Sequence, residues 1–467
     1  MATRMADPVE RLVRVRLAGA GRSTTTGRLA ALAALTVVAL GLLFGSLALA
    51  TAGARDALRV IGHDAGPQAV ATTDLYFALS DTDAQLANLL LVGGERAADQ
   101  QAAGERYEQR RRELGTALLQ AHRLAADSPA EQRTIASILD SYGRYEQLAA
   151  RALLLAEQAD YPAGSPPPEP VLDAYRQATD LMSYQVLPQA YNLTLENGTT
   201  VRRTHDAARS TVLTGRSVAA ASGTLALACL VWLQVYLRRR FRRVFGPALM
   251  LATVVTGLYA YTGVVVLDAE AGRLDTAKHD GFDAVLSLAR ARAVSNSLHA
   301  DQVRYLVDRE RADTYEQIYL DKAQSLVYVE AGNLATYHAG VAGLAGADPP
   351  PSPPGLLGSQ AGAGPRGATA LAAFDDLQRA DRALRAAAVD GDGEAAVAIR
   401  FGRLGTAFAD YDAAVVRLTD QHQARFEAAV ARGEDAIADL GFLLPVAMVS
   451  IAVLVVAGVA PRVREYR

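Results

Sequence analysis

Two short runs in this sequence concentrate side chains suited to holding polar groups. The first is Asp74-Leu75-Tyr76-Phe77-Ala78-Leu79-Ser80-Asp81-Thr82-Asp83-Ala84-Gln85-Leu86-Ala87-Asn88, which interleaves aromatics with Asp81, Asp83, Gln85 and Asn88. The second is Ala300-Asp301-Gln302-Val303-Arg304-Tyr305-Leu306-Val307-Asp308. On a helix, Asp301 and Arg304 fall one turn apart, as do Arg304 and Asp308, a spacing that pairs charges. The chemistry on offer is hydrogen bonding and ion pairing. Asp81, Asp83, Gln85, Asn88, Asp301, Arg304, Tyr305 and Asp308 therefore read as a contact surface for a ligand or partner. The plainer reading is hydrogen bonding between packed helices and solvated charge.

Residues for making and breaking bonds are not arranged to do so. The histidines, His63, His122, His205, His279, His299, His338 and His422, include no pair at metal-ligand spacing. No H-E-x-x-H, paired C-x-x-C or G-x-S-x-G motif occurs. The single cysteine, Cys229, has no partner in the chain and lies in an apolar run, where a thiol acts as a small apolar residue. Asp390-Gly391-Asp392-Gly393-Glu394 opens like a calcium loop. The turn glycine is missing at the sixth position, and Phe401 stands where a bidentate glutamate belongs, so a helix-breaking acidic turn is expected. Gly19-Ala20-Gly21-Arg22-Ser23-Thr24 lacks the lysine and the preceding strand of a phosphate loop. No catalytic residue, cofactor or metal site is expected, and the chain reads as a non-enzyme.

The elements that position these runs are organised around residues 217–267. Two apolar arms, 217–237 and 247–267, each have the length of a membrane-crossing helix and contain no Lys, Arg, Asp or Glu. Between them Arg238, Arg239, Arg240, Arg242 and Arg243 crowd a tight turn, 238–246, of the kind that stays cytoplasmic. Residues 29–51 and 440–460 are two further apolar spans. The basic arm 1–28 and tail 461–467 complete a positive-inside pattern, so both termini are expected in the cytoplasm of a multi-pass plasma-membrane protein. The formal net charge of −3 conceals this segregation, because the remaining segments carry the acidic excess and are poor candidates for nucleic acid.

Segments 52–216 and 268–439 are polar and helix-rich. Helices are expected at about 67–92, 97–126 and 129–160, with Asp127-Ser128-Pro129 as a start signal. After a proline-rich break another helix leads into the second span, with Tyr175, Leu181, Met182 and Leu193 in helical rhythm and Pro188 as a kink. The second segment offers 270–308, 312–345, 368–389 and 394–438. The linker PPPSPPGLLGSQAGAGPRG reads as a surface loop. The expected fold is thus an all-α integral membrane protein, with four transmembrane helices and two extracytoplasmic four-helix bundles in a tandem repeat. Tyr107-Glu108-Gln109 recurs as Tyr315-Glu316-Gln317, and Tyr145-Glu146 as Tyr411-Asp412.

The segments DLYFALSDTDAQLANLLLVG, YRQATDLMSYQVLPQAYNLTLEN, ADQVRYLVDRERADTYEQIYLDK and FADYDAAVVRLTDQHQARFEAAV resemble actinobacterial GlnX-type four-span membrane proteins. Composition agrees with an actinobacterial source: Lys278 and Lys322 are the only lysines in an arginine- and alanine-rich chain. Members of that family often have Glu-Ser before Arg-Tyr-Leu, where this chain has Gln302-Val303. The resemblance implies a relay between a solute-binding lipoprotein outside, which recognises an acidic amino acid or glutamine, and a serine/threonine protein kinase inside.

The architecture itself matches the input half of a bacterial receptor. The expected function is a non-enzymatic transmembrane sensor that contacts membrane lipid and borrows its output from a cytosolic effector. Pro188 and the arginines of the turn would transmit the signal, and a homo-oligomer is compatible with the plan. The alternative is a structural membrane scaffold in a cell-envelope complex.

Overall fold

The computed structural model describes residues 25–93, 97–241, 247–347 and 351–464, and among these no strand occurs. Helix α1, Thr25–Arg59, leads through a π-helical turn, Val60–Asp64, into α2, Ala65–Val92. Next come α3 (Ala97–Leu124), α4 (Pro129–Ala159) and α5 (Glu169–Leu181). A second π turn, Met182–Val186, leads into α6, Leu187–Phe241. The order then recurs. Helix α7 (Pro247–Thr276), a π turn (Ala277–Phe282) and α8 (Asp283–Val307) are followed by α9 (Ala312–Leu326) and α10 (Leu334–Ala345). After short α11 (Gly358–Ala361) come α12 (Pro365–Val389), α13 (Gly393–Ile399), a π turn (Arg400–Leu404) and α14 (Gly405–Arg464).

Local chemistry sets several of these ends. Ser128 caps α4, its Oγ accepting the Glu131 N–H at 3.4 Å, with Pro129 in the first turn. Helix α2 stops at Gly93, whose φ of 62° and 2.4 Å gap from a would-be Cβ to the Tyr161 carbonyl require glycine. Asp392 caps α13, accepting from the Ala395 N–H at 2.9 Å.

Two expectations need correction. Residues 312–345 form two helices, because the chain opens after Leu326 to make tertiary hydrogen bonds. The Tyr328 N–H donates to Pro354 O at 2.8 Å, and the Gln324 amide donates to Ala331 O at 2.9 Å. The proline-rich linker is no simple surface loop. Gly355, at φ 123°, turns it so that the Leu356 and Leu357 N–H groups donate to Ser325 O and Leu326 O, each at 2.9 Å. Leu357 and Ala361 are then fully buried in the core.

The chain divides into two compact units: one of Met1–Leu58, His205–Leu274 and Ala431–Arg467, the other of Arg59–Thr204 and Asp275–Val430. The first unit carries the apolar windows. Among the described residues, three helical stretches are long and apolar enough to cross a membrane, within Ala31–Val92, Glu169–Arg239 and Pro247–Val307. Pro445–Gly458, inside the expected fourth span, is a shorter apolar helix, and its Ile451 and Val455 pack with Leu40, Leu230 and Leu249. Small residues permit close approach: a Cβ on Gly223 would lie 2.8 Å from that of Ala260. Val37, Leu49, Trp232, Val254 and Leu258 face outward, a surface suited to hydrocarbon. Arg238 and Arg239 are exposed at the end of α6. The Arg240 side chain, Arg242 and Arg243 lie outside the described residues, as do residues 1–24 and 465–467.

The second unit has a main core to which both polar segments contribute. Leu79, Leu86, Tyr145 and Tyr175 belong to it, and so do Leu298, Tyr319, Phe374 and Tyr411. The segments read as separate bundles therefore share their packing. The reason lies in α2 and α8. Ala78 through Ala84 are all buried, as are Ser295 through Arg304. A helix buried on every side needs partners on every side, which one four-helix bundle does not supply. The two helices pack against each other at the centre. A smaller cluster, with Ile61, Phe282, Phe426 and Val430, gathers around the first and third π turns.

Candidate functional site

Because α2 and α8 run through the middle of the second unit, they carry their polar runs into its interior. Asp83 and Asp301 have no exposure, and Arg304 is 4% exposed. The Arg304 guanidinium pairs with Asp301 one turn away and with Asp83 on the facing helix. Thr179 Oγ1 donates to Asp83 at 2.9 Å, and Lys322 Nζ donates to Asp301 at 2.5 Å and to Ser297 Oγ at 2.8 Å. Two carboxylates thus meet two cations, an arrangement that offsets the desolvation of burying them. Burial pushes the Lys322 ammonium below the ordinary lysine range, and Asp301 opposes the shift.

The other residues of the two runs are placed differently. Asp308 is not held by Arg304. It accepts from Arg176 Nε at 2.9 Å and Nη2 at 2.7 Å, a bidentate pair from α5. Asp81 pairs with Arg110 at 2.7 Å; the Gln85 amide donates to it, and the Asn88 amide donates to Gln85. Tyr305 lies beneath Arg385, whose guanidinium carbon is 4.5 Å from its ring centre. Gln302 donates to Asp381 at 3.0 Å. Burial would raise the Asp381 pKa, but Arg385 and His338 outweigh it and hold the carboxyl below its usual range. Asp81, Asp83, Asn88, Asp301, Arg304 and Asp308 are all buried, so these residues form interior ties rather than an outer surface.

Two of them nonetheless face open space. A cavity of about 730 Å³ is lined by Asp301 and Arg304 at one wall. Helices α5 and α6 supply Thr179, Asp180, Leu187, Pro188 and Tyr191, with Ser183 and Tyr184 from the π turn between them. Helix α2 adds Tyr76, α8 adds Arg290 and Val294, α9 adds Ile318 and Lys322, and the linker adds Leu356. The volume suits a small organic molecule, and an apolar lining with a few convergent charges is the usual make-up of such a site. Pro188 sits where the α6 ladder begins. It has no N–H to donate backwards, and the wider π turn before it falls at that gap in the ladder, a place where such turns are often functional.

Sequence reasoning reached Asp301, Arg304 and Pro188 but missed Arg290, Tyr191, Arg176 and Lys322. Lys322 had a signal: one of two lysines in an arginine-rich chain stands in this wall. Arg290 had none, since its environment comes from residues distant in sequence.

Residues 57–206 match the family model of the actinobacterial sensor domain, an interval that closely follows the first segment of the second unit. With the three apolar helices, that match supports a membrane protein with a sensor role, of actinobacterial type. No curated protein and no solved structure matches the chain.

Proposed function

We propose that this chain is a non-enzymatic transmembrane sensor whose second unit lies outside the cell and responds to a small ligand or an amino-acid-binding lipoprotein. It passes that state to a cytosolic partner such as a serine/threonine kinase, in the manner of GlnX-type proteins. The observation that carries this reading is the cavity: it opens beside the Asp83–Arg304–Asp301 cluster, where side chains of both polar segments meet. A molecule seated there touches α2, α5, α6, α8 and α9 at once, so it binds two alternative packings of these helices unequally. Four membrane spans, both termini in the cytoplasm and an arginine turn against the lipid headgroups complete the proposal.

The test is crosslinked capture of the intact chain from its native membranes, in the wild type and in a cavity-filled Ser183→Trp variant. The expected result is a solute-binding lipoprotein or a cytosolic kinase, in an amount that the tryptophan changes. Recovery of envelope or division proteins alone, unaffected by the tryptophan, overturns the sensor reading and leaves a structural membrane scaffold.

A further inference from the structure

The charges around the cavity are not evenly satisfied. Asp301 is taken up by Arg304 and Lys322, and Asp180 is held by Arg311 at 3.3 Å. Asp283, which lines a smaller recess beside the cavity, is held by Lys278 at 3.0 Å. Arg290 stands apart. Among the described residues it has no ion-pair partner; its buried Nε has no hydrogen-bond partner, and its guanidinium stands 6.0 Å from the centre of the Tyr191 ring. It lines the main cavity and also that recess, of about 180 Å³, where the exposed Arg202 adds a second positive charge and the carboxylate present, Asp283, is the one engaged by Lys278.

Resting on the sensor reading of the same cavity, we infer that it takes a small organic monocarboxylate, with the carboxylate on Arg290 and the apolar body against Tyr76, Leu187, Tyr191 and Ile318. An arginine fork matches a carboxylate in two parallel hydrogen bonds. A buried donor left without a partner is costly, so an anion that completes it is selected. The same inventory argues against a zwitterion. An amino acid brings an ammonium that needs a carboxylate, and both carboxylates lining the cavity, Asp180 and Asp301, are already engaged by cations. The tyrosines and aliphatic side chains around the guanidinium favour an alkyl or aryl body over a sugar or phosphate ester.

The experiment is calorimetric titration of the full chain in lipid nanodiscs with straight-chain and aryl monocarboxylates of three to ten carbons. Each acid is paired with its primary amide and with the matching α-amino acid. The best acid should bind at least about tenfold more tightly than its amide or its amino acid, the scale of one charge-assisted hydrogen bond. Arg290→Gln should remove that preference, and Ser183→Trp, also in the cavity lining, should abolish binding by filling the space; near-UV dichroism checks that both variants remain folded. Acid and amide binding equally, Arg290→Gln binding the acid like the wild type, or no acid binding at all would each overturn the inference. The sensor reading fails separately: carboxylate binding with a partner set indifferent to Ser183→Trp removes the relay and keeps the site.

Discussion

Arg304 shows what residue spacing reveals and what it conceals. Its pairing with Asp301, three residues before it, follows from helical geometry. The second partner, Asp83, is 221 residues away in sequence, and no local pattern points to it. Asp308 has the right spacing from Arg304 yet is taken by Arg176, 132 residues distant, because a bidentate fork from α5 reaches it. Spacing predicts only neighbours on one helix, and both of these contacts join different helices. Truncating Arg304 leaves two carboxylates buried with one cation, Lys322. Arg304→Ala should therefore destabilise the second unit by about 3–5 kcal/mol, the cost of breaking a buried pair. Urea unfolding followed by near-UV dichroism measures this, and a loss below about 1 kcal/mol would show that water reaches the cluster. Gln302 is a further case: it donates an amide hydrogen to Asp381 from a fully buried position, a role that a carboxylate there cannot fill.

At the scale of elements, the helical rhythm was readable and its interruptions were not. The run from Tyr175 to Leu193 reads as helix, and of the residues in its rhythm Tyr175, Met182 and Leu193 are buried and Leu181 is partly buried. A π turn accommodates about one extra residue in a helix, and the runs that form these turns, VIGHD, MSYQV, AKHDGF and RFGRL, share no pattern that would mark them. Among the described residues, π turns occupy corresponding places in the two halves: Val60–Asp64 and Ala277–Phe282 lead into α2 and α8, and Met182–Val186 and Arg400–Leu404 precede α6 and α14. The duplication is thus clearer in element order than in letters. Tyr107 and Tyr315 fall on corresponding helices, α3 and α9, whereas Tyr145 and Tyr411 fall on α4 and α14. Removing the exposed Tyr184 should restore α-helical register across the second π turn. The residues on either side would keep their facing, since the turn already absorbs the extra one, but the cavity wall would lose Tyr184 and the widened backbone beside Ser183. The deletion variant should keep its far-UV helicity and lose binding of the best monocarboxylate in titration. Unchanged affinity would show that the π turn does not position the site.

For the whole molecule, the question is why two similar segments do not form two independent bundles. Each contributes a central helix, α2 or α8, buried around its full circumference, and each is the other's partner. Segment 59–204 expressed alone would expose that face of α2, together with Asp83 stripped of Arg304. It should remain helical in the far ultraviolet but lack near-UV dichroism and bind a hydrophobic dye, the marks of a molten globule. A cooperative unfolding transition for the isolated segment would show that each half carries its own core.

The sequence by itself determined where the chain is apolar enough for membrane, where it is helical and that its plan is doubled. Those properties follow from composition and from the 3.6-residue period, both of which are local. It also marked the two polar runs, because charged residues among buried-type neighbours are conspicuous. Only the tertiary structure decided what those runs touch and what surrounds them: Asp83 meets Arg304 across 221 residues, the proline-rich linker folds back to bury Leu357, and Arg290 faces the cavity with no ion-pair partner among the described residues. Such contacts depend on which helices come to lie side by side, and that is settled by burying α2 and α8 on all faces at once, a requirement that no single stretch of the chain expresses.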